Sequence, residues 1–144
     1  MKKLNEEFLK AFLAFQIDCP AIEKENQTTD KYGKKKYKYA DLPSIVTRIT
    51  PLLAKHGLFV NQLVGCENDK LSVETTLYHI DGGHMSSTFN IDLAKTKAEF
   101  MNAMQGIGNA ITYIRRYQYA SICNVITDED LDANSFLSET ERLE

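Results

Sequence analysis

The chain has no tryptophan and only three prolines and three cysteines in 144 residues, and each scarcity removes a class of protein. Cys19, Cys66 and Cys123 are odd in number and widely separated, with no C-x-x-C pair, so they supply neither a zinc knuckle nor a dithiol redox centre. They read as buried, reduced thiols. His56, His79 and His84 lack companions at metal-ligand spacing and read as structural or surface residues. Apolar runs are interrupted by charge within a few residues, far short of the roughly 18 of a membrane helix. The N-terminal stretch MKKLNEEFLKAFLAF puts Asn5, Glu6, Glu7 and Lys10 where a secretory signal is apolar. A cytoplasmic protein is the expectation.

Catalytic signatures are equally scarce. There is no G-x-x-x-x-G-K-[ST] loop, and the Gly106 to Ile111 run G-I-G-N-A-I has isoleucine where a dinucleotide fingerprint needs a third small residue. No Ser-His-Asp or Cys-His pairing can be assembled from spacing. Asp128, Glu129, Asp130 and Asp132 suggest a metal-dependent nuclease, but consecutive acids at a chain end do not converge easily on one octahedral site. A protein that is not an enzyme is expected, with no catalytic residue, cofactor or metal.

What the chain does have is an uneven charge distribution. Residues 1–126 hold 16 Lys/Arg against 13 Asp/Glu, whereas residues 127–144 hold one Arg against seven acids, so the overall −3 conceals a mildly basic body and an acidic tail. One domain over 1–126 and a flexible tail over 127–144 follow. Between Lys24 and Lys38, six lysines face two acids and interleave with Tyr32 and Tyr37. A loop or hairpin with Gly33 at its tip fits this stretch, and its Lys-Tyr alternation suits a single nucleic-acid strand.

Hydrophobic spacing gives the elements. Leu4, Phe8, Ala11, Phe12 and Phe15 recur at helical intervals and predict a helix over 4–17, its aromatic stripe serving either the core or a subunit interface. Asp41 caps a second helix with Ile45, Ile49, Leu52 and Leu53 on its apolar face; Pro51 interrupts it, and His56-Gly57 ends it. Leu58–Val64, Lys70–His79 and His84–Leu93 read as antiparallel strands joined by C-E-N-D and D-G-G turns. After a charged linker, a helical pattern runs to about Cys123, with Ile107, Ile111, Ile114, Ile122 and Val125 on one stripe. Arg116 then faces away from that stripe, while Arg115 and Tyr119 share a flank, where Arg115 meets either a ligand or a buried acid. Gly106 and Gly108 suggest a break near 105–109 or a close backbone approach.

Two adjacent arginines among Tyr113, Tyr117 and Tyr119 combine phosphate contacts with flat stacking surfaces. The Y-K-Y-A-D-L block at Tyr37–Leu42, the P-L-L-A-K-H-G-L run at Pro51–Leu58 and the G-x-A-x-T-Y-x-R-R-Y block at Gly108–Tyr117 together resemble the ERF (essential recombination function) family of phage and prophage single-strand annealing proteins. Matching positions are Tyr37, Lys38, Tyr39 and Asp41, then Gly108, Ala110, Thr112, Tyr113, Arg115, Arg116 and Tyr117. The resemblance implies an α+β fold, a curved antiparallel sheet of three or more strands with a long helix packed across it, similar to strand-annealing ring proteins. It implies ATP-independent binding of single-stranded DNA and annealing to a complementary strand in phage recombination. It also implies homo-oligomeric rings or filaments, and a phage exonuclease or single-strand-binding protein as partner. The expected DNA-binding set is Lys34, Lys35, Lys36, Tyr37, Lys38, Tyr39, Tyr113, Arg115, Arg116, Tyr117 and Tyr119. The alternatives are an assembly module using the Arg/Tyr surface as a subunit interface, and the metal-dependent nuclease.

Overall fold

The structure, a computed structural model, describes residues 2–19, 26–29, 35–39, 41–93 and 103–126, with side chains at 26–29, 35–39 and 103–105 left aside. Helix α1 (Glu6–Asp18) starts where the Asn5 side chain accepts the Phe8 N–H at 2.8 Å, an N-cap that satisfies one otherwise orphaned donor. Helix α2 (Leu42–Lys55) starts in the same way, the Asp41 carboxylate accepting the Ser44 N–H at 2.9 Å, and it continues through Pro51 to a C-cap at His56. Helix α3 (Ala103–Ile122) is continuous across Gly106 and Gly108, so the expected break is not there. A side chain at Gly108 would meet nothing within 4 Å, which also excludes a close backbone approach at that residue.

Three long strands form the sheet: β4 (Leu58–Glu67), β5 (Lys70–His79) and β6 (His84–Asp92), preceded in the chain by a short β1 (Lys2–Lys3). Their order is β1-β6-β5-β4, each neighbour antiparallel. Strand β4 runs three residues beyond the expected Val64 because Asn68 and Asp69 both adopt positive φ (53° and 59°). That is the tight two-residue turn whose twist matches a hairpin. At the other hairpin Gly82 has φ +101°, and a Cβ on Gly83 would sit 2.9 Å from the Phe8 Cβ, so the turn rests directly on α1. Strands β2 (Asn26–Thr29) and β3 (Lys35–Tyr39) form a separate antiparallel pair, which gives the basic segment its expected hairpin; Gly33 and Lys34 lie outside the described residues.

All three helices pack on one face of the sheet. Phe8 and Phe15 of α1, Ile45, Ile49 and Leu53 of α2, Leu58 and Leu77 of the strands, and Ile122, Cys123 and Val125 at the end of α3 make one buried cluster. Each large side chain withdrawn from water in this way contributes about 1.5–3 kcal/mol. The aromatic stripe of α1 therefore serves the core, except that Leu4 at its start is exposed. Along the helix-facing side of the sheet the register sets three rows: Val60–Leu77–Met85, Gln62–Thr75–Ser87 and Val64–Val73–Phe89. The middle row is polar. Residues 127–144, the expected acidic tail, lie outside the described residues, as does the linker before α3.

Candidate nucleic-acid interface

The polar row explains how α3 is held. Gln62 donates from Nε2 to the Arg115 carbonyl at 3.0 Å and to Thr75 Oγ1 at 3.1 Å, and its Oε1 accepts from Arg115 Nε at 3.1 Å. One turn further, Gln118 donates from Nε2 to the Val73 carbonyl at 3.1 Å. Thr75 and Gln118 are buried, so these bonds form where an unmade one would be expensive. The partner of Arg115 is thus a neutral amide, not the buried acid considered from the helical wheel. Its guanidinium is tethered through Nε while the side chain stays partly exposed.

On the opposite side of α3, Tyr113 and Tyr117 are one turn apart, 56% and 42% exposed, with ring centroids at 4.7 Å and planes at 60°. Their hydroxyls hydrogen-bond at 3.2 Å. Arg116 lies between them, its Cζ 5.2 Å from the Tyr113 ring and 5.0 Å from the Tyr117 ring. Spacings of three and four residues stack side chains on one helix face, which is why this trio assembles without tertiary help. A guanidinium held over aromatic faces keeps its charge and its planar donors. The cluster offers an anionic, flat-sided ligand both a cation and two rings.

Tyr119 belongs elsewhere. It is 5% exposed, its hydroxyl is 3.0 Å from Thr50 Oγ1 on α2, and burial pushes its pKa up. The expected DNA-facing role is corrected: the ring is a core element that locks α3 to α2. The flank shared with Arg115 is one where the sheet and α2 close over Tyr119 and leave Arg115 at the margin. Of the upstream block, Lys35–Tyr39 form β3, paired with β2. The side chains of Lys35, Lys36, Tyr37, Lys38 and Tyr39, and the whole of Lys34, lie outside the described residues. Among the expected residues the structure brings together Tyr113, Arg116 and Tyr117, with Arg115 on the adjoining flank.

Gln62 and Gln118 are the functional supports that sequence reasoning passed over. A signal existed for Gln62: in LFVNQLV the positions 58, 60 and 64 are apolar, and a glutamine in that inward phase needs a partner. Elsewhere, the Asp18 carboxyl is held below the usual carboxylate range by hydrogen bonds from His56 (2.7 Å) and Lys55 (3.2 Å). That of Asp81 is lowered by the Gly83 N–H and by His79. Burial raises the Cys123 thiol to about 12 and also raises Cys19. Among the described residues no three His, Cys, Asp or Glu side chains are placed to share a metal ion. No described helix is long and apolar enough to cross a membrane.

Fold and site together define an α+β module that exposes an arginine–tyrosine cluster on the outer side of a sheet-packed helix. Comparison with protein families then places it: the ERF superfamily model matches residues 8–142, and the chain belongs to that superfamily. Membership is consistent with a role in phage recombination. No curated protein and no solved structure matches the chain.

Proposed function

We propose that this protein binds single-stranded DNA without ATP and anneals it to a complementary strand during phage-type recombination in the bacterial cytoplasm. The observation that carries the reading is the Tyr113–Arg116–Tyr117 cluster, two exposed tyrosines with a half-buried arginine against both rings, in a chain of the ERF superfamily. Arg116 and Arg115 hold phosphates, Tyr113 and Tyr117 restrain bases, and the Lys34–Lys38 block with Tyr37 and Tyr39 extends the path. Phosphate contacts give sequence-independent affinity, and base pairing between strands supplies the complementarity. No residue performs covalent chemistry on this reading, so the protein acts without catalysis, cofactor or metal. Assembly into a ring or filament multiplies weak contacts into tight binding of a long strand. An exonuclease or single-strand-binding protein of the same phage is the natural partner.

The test mixes complementary fluorescent oligonucleotides with the protein, with and without magnesium and ATP. Accelerated duplex formation in every condition supports annealing. Magnesium-dependent loss of substrate would replace the proposal with a nuclease, and an unchanged pairing rate would replace it with an assembly module whose Arg/Tyr surface contacts protein.

A further inference from the structure

The register of the main sheet assembles a second group of rings, on the face opposite the helices. Phe59 pairs with Tyr78, Tyr78 with His84, and His84 with Lys3 of β1. Directly paired residues point to the same side, so these four form one row, back to back with the core residues Leu58 and Leu77. The rings touch in order. Phe59 and Tyr78 stack with centroids 5.1 Å apart and planes at 20°, and Tyr78 meets His84 at 5.8 Å and 44°. His84 donates from Nδ1 to the Gly82 carbonyl at 3.1 Å, which orients its ring.

An offset stack at this separation covers one face of each ring with the other. Phe59, on the strand that ends the order β1-β6-β5-β4, therefore closes the column, and it is 47% exposed where Tyr78 and His84 are half-buried. Two residues along β4, on the same face, stands the exposed amide of Asn61. At the other end of the row Lys3 is exposed, three strand spacings or about 14 Å from Phe59. The carboxylate of the adjoining turn, Asp81, is engaged by His79 at 2.9 Å and by the Gly83 N–H at 3.0 Å. Cross-strand ring pairs stabilise a sheet, and Phe59 and Tyr78 do that whatever else they do. Such pairing requires neither a cation in the same row nor a ring left half exposed at its end.

We propose that this row is a further contact surface for an unpaired nucleic-acid strand, separate from the α3 cluster. A base stacks on the exposed face of Phe59, Asn61 hydrogen-bonds its edge, and a phosphate further along the strand meets Lys3. Antiparallel sheets that display rings on one face hold two or three unpaired bases in this way. Stacking accepts every base, so the row adds affinity without sequence preference. The choice of ligand rests on the annealing function proposed above; the place of the site does not.

The chain has no tryptophan, so Phe59→Trp puts a sole indole at the end of the column. Its emission should be quenched as a thymidine oligonucleotide saturates the protein, and unchanged by an abasic oligonucleotide of the same length, which supplies phosphates alone. Phe59→Ala should weaken binding of the thymidine oligonucleotide about tenfold, as the loss of one stacked base does, with the slope of log affinity against log salt unaltered. Phe59→Leu keeps an apolar side chain without a π-face; it should bind as the alanine variant does and melt as wild type does. Lys3→Ala should lower the salt slope by about 0.7. Wild type that binds no oligonucleotide would overturn this proposal together with the annealing function. Binding that Arg116→Ala weakens but Phe59→Ala and Phe59→Leu leave unchanged, or an indole quenched equally by thymidine and abasic strands, would overturn this proposal alone.

Discussion

Arg116→Ala removes a guanidinium whose Cζ lies 5.2 and 5.0 Å from two exposed rings. Exposed cation–π contacts contribute about 0.5–1 kcal/mol each. Alanine returns roughly 0.2 kcal/mol through its higher helix propensity. The net loss of stability is then about 1 kcal/mol, or roughly 3 °C in melting temperature for a chain of this size. The effect on DNA should be of another kind. One phosphate contact removed per subunit lowers the slope of log affinity against log salt by about 0.7 per site occupied. Arg116→Lys keeps the charge, and so the slope, while losing the planar stack on Tyr113 and Tyr117. The assay is anisotropy of a labelled oligonucleotide over a salt series, run beside thermal melting of each variant. An unchanged slope in Arg116→Ala, or a melting temperature lowered by more than about 10 °C, a shift several kcal/mol in size, would refute the assignment of Arg116 to an outward binding face.

Tyr119→Phe deletes only the hydroxyl bonded to Thr50 and should cost about 0.5–1.5 kcal/mol in urea unfolding. Single-strand affinity should be unaltered, and a selective loss of binding would return the ring to the DNA surface. Gln62→Leu strips partners from Arg115 and Thr75 and should destabilise by about 1–3 kcal/mol, measurable by the same titration. The carboxyls of Asp18 and Asp81 titrate lower in the folded chain than unfolded. Their contribution is complete above the unfolded value near 3.9 and is lost as pH falls through the folded values. Melting temperature should decline below about pH 4, and Asp18→Asn should make that decline shallower. Thiol reagents at pH 8, an arbitrary mild condition about four units under the Cys123 value of about 12, should modify exposed Cys66 at once and Cys123 only after denaturation.

The elements with strong local signals were readable from the chain. The alternation in KLSVETTLYH, the D-G-G turn, the Asp41 cap and the Ile/Leu face of α2 each point to one conformation, and each is found. The antiparallel sheet with helices against it, the α+β class, followed from them. The ends of elements were less legible: β4 reaches Glu67 because two non-glycine residues accept positive φ, a choice that tertiary pairing makes for them. β1, with two lysines, has no hydrophobic pattern and exists only as an edge partner of β6. At the site, the helical wheel set Arg116 outward and the isoleucine stripe inward. It misplaced Tyr119 because a flank position becomes core only when a second helix, here α2, closes over it. Gln118 was invisible for the same reason: its partners are carbonyls 31 and 45 residues away.

The polar row between two apolar rows gives α3 a fixed index on the sheet. A helix lying on uniformly aliphatic strands could slide by one turn, about 5.4 Å, and exchange one greasy contact for another. Here such a slide would carry Gln118 off the Val73 carbonyl and Arg115 off the Gln62 amide. Each abandoned bond would cost about 1–3 kcal/mol. A pull along the helix at Arg116 is therefore resisted in shear, at defined detents, by glutamines on the far side of the same helix and on the strand beneath it.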